Sequence, residues 1–249
     1  MQLATEKSKR TSNPLKEAWF IYGAWKLGKT TLASKMSDPY FIATERGHAY
    51  VEVYKTDVSS WGELKSVMNL LLTSKHQHKT IVVDTADEAF NMCCHYIYKR
   101  EGFSHMSELD GGRGYEYVRD EFGSVISKLT QSNFGVVFLA HEKLVKSTFQ
   151  GVEKWRYWPN LMKTGRDVLL PKVDHIGRIF TKAVTVDGKR LHQRHVSFCN
   201  TADWEAGSRG LSEHGDILIE PEDACWSNVH RLFAPASPSA DTEKGEKKT

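Results

Sequence analysis

The sequence contains no Cys-x-x-Cys pair, and of its four cysteines, Cys93, Cys94, Cys199 and Cys225, only the first two are adjacent. Adjacent residues in a helical stretch cannot comfortably share a metal ion, so the cysteines point to a reducing compartment rather than a metal centre. No apolar run approaches the roughly 20 residues needed to span a bilayer. The N-terminal stretch MQLATEKSKRTSNP also lacks the apolar core of a signal peptide. A soluble, cytoplasmic protein is expected, in the host cytoplasm if it is phage-encoded. Strong charge of either sign is missing too: 34 Lys and Arg against 31 Asp and Glu leave a formal net charge of +3. That balance favours anionic partners only weakly, unless the cations cluster.

What remains is enough for one α/β domain. The chain has 249 residues, 40% of them hydrophobic, sufficient for a single well-buried core. Residues 1–16 are polar and interrupted by Pro14, and the final stretch PASPSADTEKGEKKT has no large apolar side chain to bury. The expected organisation is a mobile segment over 1–16, a globular domain over 17–235 and a disordered tail over 236–249. Within the domain, AWFIYG (18–23), YFIAT (40–44), TIVVD (80–84) and FGVVFLAH (134–141) read as buried strands. Helical patterns cover 29–36, 61–72, 87–100 and 115–130. This alternation implies a mainly parallel sheet flanked by helices. After Glu142 the pattern changes to shorter alternating segments, with Asp187-Gly188 marking an antiparallel hairpin.

The most informative segment is Gly23-Ala24-Trp25-Lys26-Leu27-Gly28-Lys29-Thr30, a full GxxxxGK[ST] phosphate-binding loop placed between a strand and a helix, as the motif requires. Glycines let the backbone wrap phosphate closely, and the N–H groups around Lys29, Thr30 and Thr31 point inward. Lys29 is expected to reach the β and γ phosphates of ATP, and Thr30 to offer its hydroxyl to Mg²⁺. Asp84, at the tip of TIVVD, suits the outer shell of the same Mg²⁺; with Thr85 it would also suit the cap of the next helix.

Hydrolysis needs a group that orients or deprotonates water near the γ-phosphate. Glu45, directly after YFIAT, is the candidate, with Glu88 as the alternative; a solvated carboxylate beside Arg46 is the competing reading. His141 ends another core strand and is placed to sense the γ-phosphate, although a lone histidine is often structural. Residues 143–163 interleave Lys146, Lys154 and Arg156 with Phe149, Trp155, Tyr157 and Trp158, the composition of a single-strand-binding surface. A hairpin with alternate aromatics packed on the core is the other reading. Asp110-Gly111-Gly112-Arg113-Gly114 reads as an ordinary turn between helices. Arg178, Lys182, Lys189, Arg190 and Arg194 include a candidate cationic finger toward a neighbour's ATP, or are solvated strand-edge charges.

In GAWKLGKTT, ATERG, TIVVDTADEAF, GGRGYEYVRDEF and FGVVFLAHEK, spread over about residues 18–143, the chain resembles phage RecA-like nucleotide-binding proteins, some of which are single-strand annealing recombinases. The resemblance implies a RecA-like P-loop NTPase core, ATP with Mg²⁺, Glu45 as catalytic carboxylate, His141 at the switch position and the following loop near single-stranded DNA. It also implies a homo-oligomer, as a ring or filament, and work alongside a single-strand-binding protein, for which the sequence shows no recognisable docking tail. The expected function is a DNA-stimulated ATPase that promotes strand annealing in phage recombination or replication; a nucleotide-gated DNA-binding module with little hydrolysis is the alternative. A small-molecule kinase would want an Arg-rich lid, and a partition ATPase a lysine where this chain has Ala24.

Overall fold

The structure, a computed structural model, describes residues 13–45, 50–149, 151–209, 215–221 and 225–233. Most of the expected N-terminal segment, Arg46 and the 236–249 tail lie outside the described residues. Residues 13–16 are anchored: Asn13 caps a 3-10 turn over Pro14–Lys16, and the Trp19 indole donates to the Pro14 carbonyl at 3.1 Å.

The domain is a mostly parallel sheet with helices on both faces. Its strands are β1 (Ala18–Gly23), β2 (Pro39–Ala43), β3 (Tyr54–Asp57), β4 (Thr80–Asp84), β5 (Gly135–Phe149), β6 (Val152–Pro159), β7 (His175–Val186), β8 (Lys189–Ser197), β9 (Gly207–Ser208) and β10 (Ile217–Leu218). The order across the sheet is β10-β8-β7-β1-β5-β4-β2-β3, with β6 paired to β5 and β9 to β7. The strands from β7 to β3 run parallel, whereas β8, β10, β6 and β9 pair antiparallel. Every residue of β1 and β4 is buried, as expected for strands covered on both faces.

Alternation along β1 divides the core in two. Phe20 and Tyr22 face a large cluster built with α2 (Trp61–Thr73), α3 (Ala86–Glu101) and α4 (Arg113–Thr130). Trp19 and Ile21 face a smaller one with α1 (Lys29–Ser34) and α6 (Cys225–Phe233), while α5 (Lys163–Leu169) adds Val168 and Leu169 to the first. Helix α2 buries Trp61, Leu64, Met68 and Leu71 along one stripe, the helical period read in the sequence. Its start is fixed by Ser60, whose hydroxyl accepts from the Glu63 N–H, while Glu63 accepts from the Ser59 N–H at 2.7 Å, a variant of the capping box. Helix α3 stops at Gly102, whose φ of 76° provides a left-handed cap. Cys93 and Cys94 are buried within α3 as free thiols, and burial raises both pKa values, that of Cys94 to about 11. Asp110–Gly112 is a turn leading into α4, with Gly111 and Gly112 at positive φ, and Arg113 and Gly114 open the helix.

One boundary differs from expectation. The strand FGVVFLAH does not stop at His141; β5 continues to Phe149 and turns back through β6, pairing from Glu142 with Pro159 to Phe149 with Val152. β7 and β8 form a second ribbon, closed at Asp187 and Gly188, both at positive φ, as the Asp-Gly pair predicts. Among the described residues, no helix is long and apolar enough to cross a membrane.

Candidate functional site

The site forms where β1 ends. Gly23 pairs with His141 of β5 on one side and with Ile179 of β7 on the other. Both neighbours run on past it, so the phosphate-binding loop, residues 23–30, sits between the roots of two ribbons. Close packing requires glycine at its start: a Cβ on Gly23 would lie 2.5 Å from the Ile179 carbonyl oxygen. Gly28, at the N-terminus of α1, has a φ of +89°, a conformation costly for any residue with a Cβ.

Lys29 is buried, and its Nζ donates to the carbonyls of Gly23 and Ala24 at 3.0 and 2.8 Å. Burial lowers its pKa, against the opposing pull of Asp84, Asp87, Glu142 and Glu45. Thr30 Oγ1 donates to Asp84 Oδ2 at 2.8 Å. The hydroxyl and carboxylate expected to serve one Mg²⁺ thus face each other across the end of the sheet, a donor set of hard oxygens that suits that ion. Asp84 does not cap α3: the cap residue is Thr85, with no capping side-chain bond. The Thr85 hydroxyl donates instead to Glu45 Oε1 at 2.8 Å.

Glu45 is positioned by the residue before it. Thr44 Oγ1 accepts from the Thr85 N–H at 2.6 Å, joining the tips of β2 and β4. Glu45 then lies 3.7 Å from His141 Nδ1, and the same nitrogen is 3.0 Å from Asp87 Oδ2. The hydrogen bond to Asp87 raises the His141 pKa; partial burial opposes the shift, and the charges of Asp87 and Glu45 reinforce it. Potential ligand atoms of Glu45, Asp87 and His141 all lie within 4.8 Å of one another, close enough to share a cation. Asp87 Oδ1 is buried with no hydrogen-bond partner. Trp25, exposed on the phosphate loop, brings its ring to 5.3 Å from that of His141.

Two groups in this arrangement were not read from the sequence. Asp87, on the helix that follows Asp84, is the direct partner of His141, whereas Glu88, the alternative base, is bonded by Asn91 at 3.2 Å. Glu142 ties the two ribbon roots together by accepting from buried Arg178 at 2.8 Å. The Arg178 guanidinium lies 4.0 Å from the Tyr157 ring, 5.1 Å from Trp204 and 5.4 Å from Phe180. Arg178 is therefore engaged within its own fold and is not a finger toward a neighbour. Lys182 pairs with Asp216 at 3.1 Å. Arg194 pairs with Glu220 at 2.9 Å and places a guanidinium nitrogen 2.9 Å from where a Cβ of Gly28 would stand, so it reaches the phosphate loop of its own chain. The one direct signal for Glu142 was its place next to His141 at a strand tip.

Residues 143–159 form a ribbon whose two faces differ. Leu144, Trp155 and Tyr157 are exposed on one face, with Trp155 61% accessible. On the other, Arg156 is buried and donates to the Thr201 and Trp204 carbonyls, and Trp158 packs under Arg166 at 4.0 Å. The lysines expected to follow a phosphate backbone have partners as well: Lys146 pairs with Glu153 at 2.5 Å and Lys154 with Asp203 at 3.1 Å. The ribbon therefore offers aromatic faces more than free charge.

Comparison with known proteins agrees with this geometry. The family described as AAA domain matches residues 16–210. The chain is also similar to the SPbeta prophage-derived uncharacterized protein YorG of Bacillus subtilis (strain 168), 27% identical over 161 residues that cover 62% of this chain and 47% of that protein. The chain thus spans about half the length of that curated relative. A strand-loop-helix phosphate cradle, a carboxylate facing its threonine and a family match over most of the sequence lead to one conclusion: the chain belongs to the AAA-domain family of P-loop NTPases.

Proposed function

We propose that this protein is an ATPase that binds single-stranded DNA and promotes strand annealing in phage recombination or replication. The observation that carries the reading is the continuity of β5. The strand passes from His141, within the Glu45 and Asp87 cluster, directly into a ribbon that exposes Leu144, Trp155 and Tyr157. Aromatic faces of this kind stack on unpaired bases without sequence preference. The prophage origin of the similar protein supports the phage context.

In this reading the loop backbone and Lys29 would hold the β and γ phosphates of ATP, and Thr30 and Asp84 would hold Mg²⁺, which would supply charge neutralisation at the transferring phosphoryl group. Glu45 orients the attacking water and takes its proton. His141, held by Asp87, reports γ-phosphate occupancy along β5 to the ribbon. Assembly as a ring or filament on DNA, and cooperation with a single-strand-binding protein, belong to the same proposal.

The test is the affinity of a fluorescent oligothymidine, read by anisotropy with ATP, with ADP and without nucleotide, joined to an annealing assay on complementary oligonucleotides. Tighter binding with ATP, loss on Trp155→Ala and ATP-dependent annealing are expected; absence of oligonucleotide binding in all three states contradicts the proposal. One observation favours the second reading, a nucleotide-gated binding module with little turnover: Glu45 Oε1 already accepts from Thr85. Under that reading Glu45→Gln leaves turnover unchanged and low, whereas under the first it abolishes turnover and keeps ATP binding.

A further inference from the structure

The β5–β6 ribbon supplies stacking surface, but Lys146 and Lys154 are paired and Arg156 is buried, and a single strand also needs charge along its backbone. That charge lies on the other side of the phosphate loop. Residues 178–197 carry Arg178, Lys182, Lys189, Arg190 and Arg194 against one carboxylate, Asp187. The hairpin therefore carries four more cations than carboxylates.

Register sorts them by face. Thr181 pairs with Arg194, Ala183 with His192 and Thr185 with Arg190, so these six residues share one face of the β7–β8 ribbon. Lys182, Val184, Val186, Lys189, Leu191 and Gln193 share the other. On the first face Arg190, His192 and Arg194 stand two residues apart, a spacing of about 7 Å along a strand, similar in scale to the repeat of phosphates along an extended single strand. The residues opposite them, Thr185, Ala183 and Thr181, are short. Arg190 and His192 are exposed, and among the described residues neither side chain forms an ion pair. At the root of the same face Arg194 meets Gly28 of the phosphate loop and Glu220.

We propose that this face of the β7–β8 ribbon, Arg190 and His192 continuing outward from Arg194, is the binding track for the phosphate backbone of a single nucleic-acid strand. The β5–β6 ribbon across the phosphate loop takes the bases. The inference rests on the single-strand-binding reading above and assigns the charge that reading needs to a second element. Because Arg194 sits on Gly28, the inner end of the track is in direct contact with the loop that holds nucleotide.

The experiment compares two neighbouring charge removals on opposite faces, Arg190→Gln and Lys189→Gln, in the full chain. Anisotropy of a 5′-fluorescein oligothymidine is measured across a salt series, with protein mass in solution measured alongside and melting temperature confirming the fold. Arg190→Gln is expected to weaken binding several-fold and to lower the slope of log affinity against log salt by about one, while Lys189→Gln stays near wild type. Equal losses in both variants would mean that only net charge acts, and would overturn the track. Unchanged DNA affinity with a lower protein mass in Arg190→Gln would make the face a contact between subunits and equally overturn it. If Trp155→Ala abolishes binding while Arg190→Gln does nothing, the strand-binding reading stands and this assignment falls. If the wild-type protein binds no oligonucleotide, both fall.

Discussion

Asp87 holds His141 through a 3.0 Å bond in a mostly buried setting, and this fixes how the histidine titrates. Its pKa is raised because the carboxylate stabilises the imidazolium. The contribution to stability is therefore complete below the ordinary histidine value of about 6.5 and is lost as pH rises through the higher folded value. In Asp87→Asn the His141 titration should move down in pH, followed through its imidazole proton resonances by NMR; an unchanged midpoint would assign the shift to another group. Gly23 makes a second residue-level prediction. A Cβ there meets backbone, the Ile179 carbonyl, so Gly23→Ala should cost about 1–3 kcal/mol by urea unfolding and weaken nucleotide binding as the loop shifts. Lys29, Thr30 and Asp84 were legible because a motif and a strand tip fix where they stand. Asp87 was not, because its partner lies 54 residues away in sequence and only the pairing of β4 with β5 brings the two together.

At the scale of elements, the parallel strands and the long helices followed from apolar runs and helical period, since each buries a continuous stripe or two full faces. The ribbon half of β5 was harder to read: beyond His141 the burial that marks a core strand ends, and the chain stays extended through pairing with β6 alone. The two-residue strands β9 and β10 depend on tertiary packing and leave no local period long enough to detect, whereas α6 carries a helical period that buries Cys225, Trp226 and Val229. Exposure on the ribbon separates function from stability. Trp155→Ala should leave the unfolding free energy within about 0.5 kcal/mol of wild type, because that side chain is 61% accessible. Phe122→Ala, in the core between Phe90 and Trp61, should cost about 3–5 kcal/mol. Chemical denaturation of both variants makes the comparison, and a large loss in Trp155→Ala would show that the aromatic face is packed rather than free.

At the scale of the whole molecule, the strand order places β5 between the phosphate-loop strand β1 and the Asp84 strand β4, with β7 on the far side of β1. Everything chemically distinctive is consequently gathered at one edge of the sheet: the phosphate loop, the Glu45, Asp87 and His141 cluster, and the two ribbons on either side. The mild net charge of the chain concealed this, since the cations of residues 178–197 are balanced elsewhere in the sequence. The central claim is that nucleotide turnover at this edge is coupled to a single strand. Steady-state ATP turnover by the purified protein without DNA, with single-stranded DNA and with duplex, using Lys29→Ala as the blank, tests it most directly. Stimulation by single strands that disappears in Lys29→Ala is the predicted result; turnover indifferent to DNA, or equal in the variant, would contradict it.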